Sequence, residues 1–171
     1  MRKVSAHELL FVSKSNKEKL DALAAGAALV SRTGYGIAQL RAKAALDRLA
    51  LAWAMLNAAE IAAKSKLHRA AVSRAYYSMY HAFRATTFYV FGGDDHEKHS
   101  DLPSKLPQDF PNRATWENAL KSARLERNRA DYDPYPKSDA KFEPVAMTIV
   151  TDVRSLMPII KRYLKQKGCL Q

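Results

Sequence analysis

SRAYYSMYHAFRATTFYVFG, Ser73 to Gly92, is the stretch whose reading decides the fold. It shows no alternation of period two, and its apolar residues recur at three- and four-residue steps, the spacing of a helix face. At about 100° per residue, Val72, Tyr76, Met79, Phe83 and Val90 fall on one side and form an expected core stripe. Arg74, Ser78 and His81 cluster on nearly the opposite side, with Arg84 nearby. The pattern predicts a helix from about Leu67 to Phe91, ended by Gly92-Gly93. One face packs; the other is free for a partner.

Working outward, the same period runs through neighbouring segments. A helix is expected from about Ile37 to Ala63, with Leu40, Leu46, Leu49, Trp53, Leu56 and Ile61 among its apolar positions; Lys64-Ser65-Lys66 links it to the next. Further upstream, Ser15-Asn16-Lys17-Glu18 has the serine-to-glutamate spacing of a capping box and opens a helix to about Ser31. Arg32-Thr33-Gly34-Tyr35-Gly36 interrupts it with two glycines. Downstream, the polar, proline-bearing segment Asp94 to Pro111 reads as a long loop. A helix follows from about Arg113 to Ala130, then the turn Asp133-Pro134-Tyr135-Pro136, since residues before proline avoid the helical region. The last helix runs from about Asp139 to Lys167, with Pro144 in its first turn and Pro158 inside it as an expected kink. The fold is therefore all-α, a four- to five-helix up-and-down bundle over residues 37–171 with an N-terminal helical extension over residues 1–36.

Composition agrees. Glycine and proline number 6 and 7 in 171 residues, too few for the turns of a β-sandwich. The single cysteine, Cys169, excludes an intramolecular disulfide and reads as a thiol on a frayed tail in a reducing cytoplasm. No signal-peptide pattern and no apolar run of membrane-spanning length is present, so a soluble, cytoplasmic chain is expected.

The net charge of +11 favours a polyanionic partner, because neutralising phosphates releases counterions. No acidic residue lies between Glu60 and Asp94, a window that holds Lys64, Lys66, Arg69, Arg74 and Arg84. A second acid-free run after Asp152 holds Arg154, Lys161, Arg162, Lys165 and Lys167. In the fourth bundle segment Lys121, Arg124 and Arg127 recur every third residue on one slowly drifting helix face. Arg127 and Arg129 also suit the negative end of the helix dipole, and Asp131 can pair with either. His81, beside arginines, is suited to binding phosphate or moving a proton. The run DDHEKH, Asp94 to His99, has two histidines three apart, but nothing in a loop need bring them together on a metal. Phosphate-binding glycine loops, nucleophile elbows and redox CxxC pairs are absent. No cofactor and no metal site is expected.

Together, SRAYYSMYHAFRATTFYVFG, the following loop with His99-Ser100, the block ERNRADYD (Glu126 to Asp133) and a last amphipathic helix resemble the HEPN superfamily, over about Ala42 to Leu164. The resemblance implies a helical bundle that dimerises, bringing the ends of the equivalent fourth helices together in a basic cleft. Many members are metal-independent endoribonucleases, often toxins encoded beside a nucleotidyltransferase antitoxin. Their signature is arginine, usually followed by asparagine, with histidine five residues after the arginine. Arg127 matches the arginine and Asn128 the polar residue, but the histidine position is Tyr132. A phenol of pKa about 10 is a proton donor at neutral pH and a poor base. The pattern thus resembles the family's ADY-type branch. The expected catalytic set is Arg127, Asn128 and Tyr132 with His81 as a possible compensating group, and the expected RNA- or phosphate-binding set is Arg74, Arg84, Lys121, Arg124 and Arg129. Three functions fit: a module that dimerises and binds RNA, a nucleotide or a partner protein; a ribonuclease toxin; and a non-catalytic helical adaptor.

Overall fold

A computed structural model describes residues 4–25 and 31–169. Its principal helices are α1 (Ala6–Ser13), α2 (Lys17–Ala25), α3 (Ile37–Lys64), α4 (His68–Phe91), α5 (Arg113–Tyr132) and α6 (Glu143–Gln166). Short 3-10 turns at Leu102–Lys105 and Asp139–Phe142 precede α5 and α6. The described residues contain no strand. The fold is all-α, as its periodicity predicts.

Local chemistry explains the joints. After α3 the chain reverses at Lys66, which takes a left-handed φ of 59°. The Leu67 amide donates to Ala62 O at 2.8 Å and the Lys66 amide to Ala63 O at 3.0 Å, a Schellman closure that uses up the last carbonyls of α3. α4 starts without a capping side chain of its own. Instead Asp139, 71 residues downstream, accepts from the His68 amide at 2.5 Å and the Arg69 amide at 3.1 Å, placing negative charge at the positive helix end. α4 ends at Gly92 with φ 84°, a conformation that a side chain disfavours.

α4 is the hub: it packs on α3, α6 and α5. Val72, Tyr76, Met79 and Phe83 are buried as the wheel predicts, each at 1% exposure or less, while Val90 is half-buried. The opposite face differs from expectation. Ser78 is fully buried and its hydroxyl donates to Ala52 O of α3 at 2.6 Å. A helix hemmed in on three sides has no free face for most of its length, and alanines at 71, 75, 82 and 85 let its neighbours approach closely. Trp53 and Ile61 of α3, counted among its apolar positions, are 41% and 56% exposed.

α6 follows its amphipathic pattern, burying Ile149, Val153, Leu156, Met157, Ile160 and Leu164. Pro144 sits in its first turn, and Pro158 lies inside one continuous helical run. Past Gln166 the chain does not fray. Gly168 has φ 82°, the Cys169 amide donates to Leu164 O at 2.9 Å, and the thiol turns inward to 3.7 Å from Ala42 O. Cys169 is 4% exposed, and burial pushes the thiol up to about 11. The thiol is free as expected, but the expectation of a frayed tail is corrected by a glycine-mediated Schellman turn that buries it.

The N-terminal extension also differs. Ser5 caps α1 in a reciprocal capping box with Glu8. At α2 the cap is Asn16, whose Oδ1 accepts from the Lys19 amide at 2.9 Å; Ser15 turns back to Phe11 O instead. The expected single helix from Ser15 to about Ser31 thus begins one residue later, and residues 26–30 lie outside the described residues. The segment Asp94 to Pro111 is packed rather than loose: Leu102, Leu106 and Phe110 are buried, and Tyr163 of α6 donates to Asp109 Oδ1 at 2.8 Å.

Candidate nucleic-acid interface

The block ERNRADY forms the last two turns of α5, which extends to Tyr132. Arg127 is oriented by its own helix and by α4. Its Nε lies 2.8 Å from Asp131 Oδ2 as an ion pair set off the N–H axis, and Nη1 donates to Asn128 Oδ1 at 3.0 Å. Nη2 donates to the Tyr77 hydroxyl of α4. The guanidinium carbon lies 5.1 Å from the Tyr77 ring centre, 5.4 Å from Tyr132 and 5.8 Å from Tyr76, so three aromatic rings border one cation. Tyr132 is 73% exposed and Leu125 68% exposed on the same helix, so the outer side of this cluster is open.

The end of α5 is fixed by Arg69. Its guanidinium donates to the carbonyls of Ala130 at 2.8 Å, Asp133 at 2.7 Å and Pro136 at 2.7 Å, and stacks on Phe142 at 4.2 Å. One side chain from the first turn of α4 therefore satisfies the orphan carbonyls of α5 and the turn beyond it.

Across Tyr76 and Tyr77 from Arg127 lies His99, which sequence reasoning noted in the loop but left out of the site. Its ring stacks on Tyr80 at 4.0 Å and 7° between planes, and Nδ1 is hydrogen-bonded to the Tyr76 hydroxyl. Tyr77 meets it edge-on at 6.1 Å. Burial, then Arg127 and Arg124, hold the His99 imidazole below the ordinary histidine value. Burial raises the Tyr76 phenol above its own, so it stays protonated. Among the described residues that phenol has one hydrogen-bonding partner, and a buried hydroxyl donates where it can. Nδ1 of His99 is thereby assigned as the acceptor and Nε2 carries the proton. In that tautomer the neutral ring turns an N–H donor away from Tyr76.

Of the other expected site residues, His81 joins the cluster, 6.4 Å from Tyr77 and 5.3 Å from Tyr80, without touching Arg127. Burial, then Arg84 and Arg48, push it down to about 4, so it is neutral at pH 7. Lys121 and Arg129 are exposed and Arg124 half-buried along α5; Arg129 also lies over Phe142. Arg74 is exposed but lies against Met55 of α3, apart from the cluster. Arg84 turns inward: its side chain is 15% exposed and pairs with the buried carboxylate of Asp94. Its location assigns it to holding the loop. His96 packs on Phe91 at 5.3 Å, separated from His99, and no metal-ligating group gathers among the described residues. No helix is long and apolar enough to cross a membrane among those residues.

The HEPN domain family matches residues 38–163. No curated protein and no solved structure matches the chain. The match takes in α3 to α6 with the cluster around Arg127, and excludes α1 and α2. It spans well over half the sequence, and the chain belongs to the HEPN domain family.

Proposed function

We propose that the chain is a HEPN module that dimerises and binds RNA through the basic cleft around Arg127, within a toxin–antitoxin, defence or stress system. One observation carries this reading: the Arg127 guanidinium, held by Tyr77 and Asn128 and paired with Asp131, is bordered by the rings of Tyr76, Tyr77 and Tyr132. Donors and a cation bordered by tyrosine rings suit a phosphate with its neighbouring bases. The open flank of α5, with Lys121, Arg124, Arg129 and the exposed Leu125 and Tyr132, supplies further charge and an apolar contact for a second copy.

A ribonuclease neutralised by a nucleotidyltransferase is the second reading. The observation in its favour is that His81 and His99 are both held below their ordinary values. Against it, the residue at the motif's histidine position is Tyr132, an exposed phenol and a poor base.

The test is fluorescence anisotropy with labelled single-stranded RNA between about 50 and 200 mM salt, in EDTA, with product analysis by gel. The affinity is expected to fall with salt, and Arg127→Ala to flatten the log–log slope by about one. An unchanged slope in Arg127→Ala places the contacts elsewhere. RNA cleaved by the wild type in EDTA replaces this reading with the ribonuclease. Absence of binding at low salt leaves a protein-binding adaptor. Sedimentation in the same buffer reads the dimer.

A further inference from the structure

The extension outside the family match grips the loop that carries His99. Asp94, whose side chain is 4% exposed, is the anchor: it takes Arg84 of α4 and Arg48 of α3, the latter at 2.9 Å. Arg48 Nη2 also donates to Ser13 O at the end of α1. The Asp94 amide donates to Ser15 O at 2.9 Å, and Asp95 Oδ2 accepts from the Lys17 amide at 3.0 Å, where α2 begins. Between them lies Gly93, where a built Cβ would stand 2.1 Å from Lys17 N and 2.5 Å from its Cα. The φ of Gly93 is outside the left-handed region, so close approach of the N-terminal backbone, not local conformation, is what demands glycine here. Six residues after Gly93, the same loop lays His99 on Tyr80, and the Tyr80 hydroxyl donates to Glu97 O at 2.5 Å.

We propose that Ser13–Lys17 is a clasp on the Gly92–Ser100 loop, and that Gly93 and Asp94 are positioning residues through which the N-terminal helices hold His99 beside the Arg127 cleft and so set its affinity for RNA. This rests on the RNA-binding reading above. Two guanidinium groups sharing one buried carboxylate are well matched only while the loop is docked; released, each charge returns to water and the loop loses its anchor.

The test uses the full chain with Gly93→Ala, which wedges the clasp by sterics alone and changes no charge. Three readouts are taken: hydrogen exchange of residues 92–100, the His99 titration by NMR, and anisotropy with the same RNA. We expect exchange to accelerate at least about tenfold. The His99 titration is expected to move up towards the ordinary histidine value, and the RNA Kd to rise at least about fivefold. Ile160→Ala, a core change on α6, is the control for general destabilisation and leaves the His99 titration in place. If Gly93→Ala does not fold, Asp95→Ala, which removes only the exposed bond to Lys17, is expected to shift all three in the same direction by less. Unchanged exchange and titration overturn the clasp. A released loop with RNA affinity unchanged within about twofold overturns its control of the cleft. Wild type that binds no RNA refutes the preceding reading instead, and the clasp then stands or falls on exchange and titration.

Discussion

α4 and α5 are neighbours of similar length with opposite relations to solvent. α4 buries residues on every side, among them Tyr76, Ser78, Met79, Phe83 and Phe88. α5 buries only Trp116, Leu120, Ala123 and Ala130. The difference decides what an arginine does. On α4, Arg84 neutralises the buried Asp94 and Arg69 ties down the end of α5, so both are consumed by the fold. On α5, Arg127 is oriented by Tyr77 and Asp131 yet borders an exposed surface. On the hub helix Arg69 and Arg84 are internal wiring while Arg74 stays exposed, and on the one-sided helix Lys121 and Arg129 are exposed beside the engaged Arg127.

The sharpest way to break this contrast is to truncate one side chain on each helix. Phe83→Ala should cost about 3–5 kcal/mol in urea unfolding, because removing a fully buried ring leaves a cavity in the core. Leu125→Ala, from a side chain 68% exposed, should stay within about 0.5 kcal/mol. Equal losses from the two would erase the distinction.

A smaller effect is expected from Arg69→Met, which keeps the stem over Phe142 but strips the donors from three carbonyls. The acceptors of Ala130 and Pro136 are partly buried, and leaving such groups without donors costs about 1–3 kcal/mol. Hydrogen exchange should localise the loss to the α5 terminus and the turn through Pro136. Protection unchanged there would mean that the α5 end holds itself, and Arg69 would pass from wiring to free charge.

The smallest effect is in pH. His81 is held at about 4 in the fold against 6.5 when unfolded, so between those values the unfolded chain binds the extra proton. Stability from this group is therefore complete above about 6.5 and declines as pH falls towards about 4. Burial lowers the His99 imidazole too, so it contributes in the same direction. In His81→Gln the dependence of Tm on pH across that window should flatten, and a variant with the wild-type slope would show that His81 is not desolvated in the fold.

Much of the architecture was legible from local pattern. Period and punctuation place α3, α4, α5 and α6 within a few residues, since amphipathic spacing, Gly92 and the prolines around Tyr135 act over a turn or two of chain. The motif at Arg127 and Asn128 was legible only through the resemblance to the family, not through period or punctuation. Ser78 was not, because a helical wheel assumes one buried face and α4 has more. His99 was visible as a residue but not as a member of the site, since its place depends on Tyr76 and Tyr80 across a loop. Cys169 could have been found: Gly168 after a lysine-rich helix end is a capping signal.

By itself the sequence determined the all-α class, the approximate spans of α3 to α6 and the position of an arginine near the end of α5, all consequences of neighbours close along the chain. Only the tertiary structure decided which charges are spent. The Arg48–Asp94 pair joins residues 46 apart, Asp139 caps α4 from 71 away, and the Cys169 thiol meets Ala42 across 127. Such pairings follow from which helix faces meet, and burial then fixes their strength, because a charge taken out of water must find its partner wherever the chain has brought one.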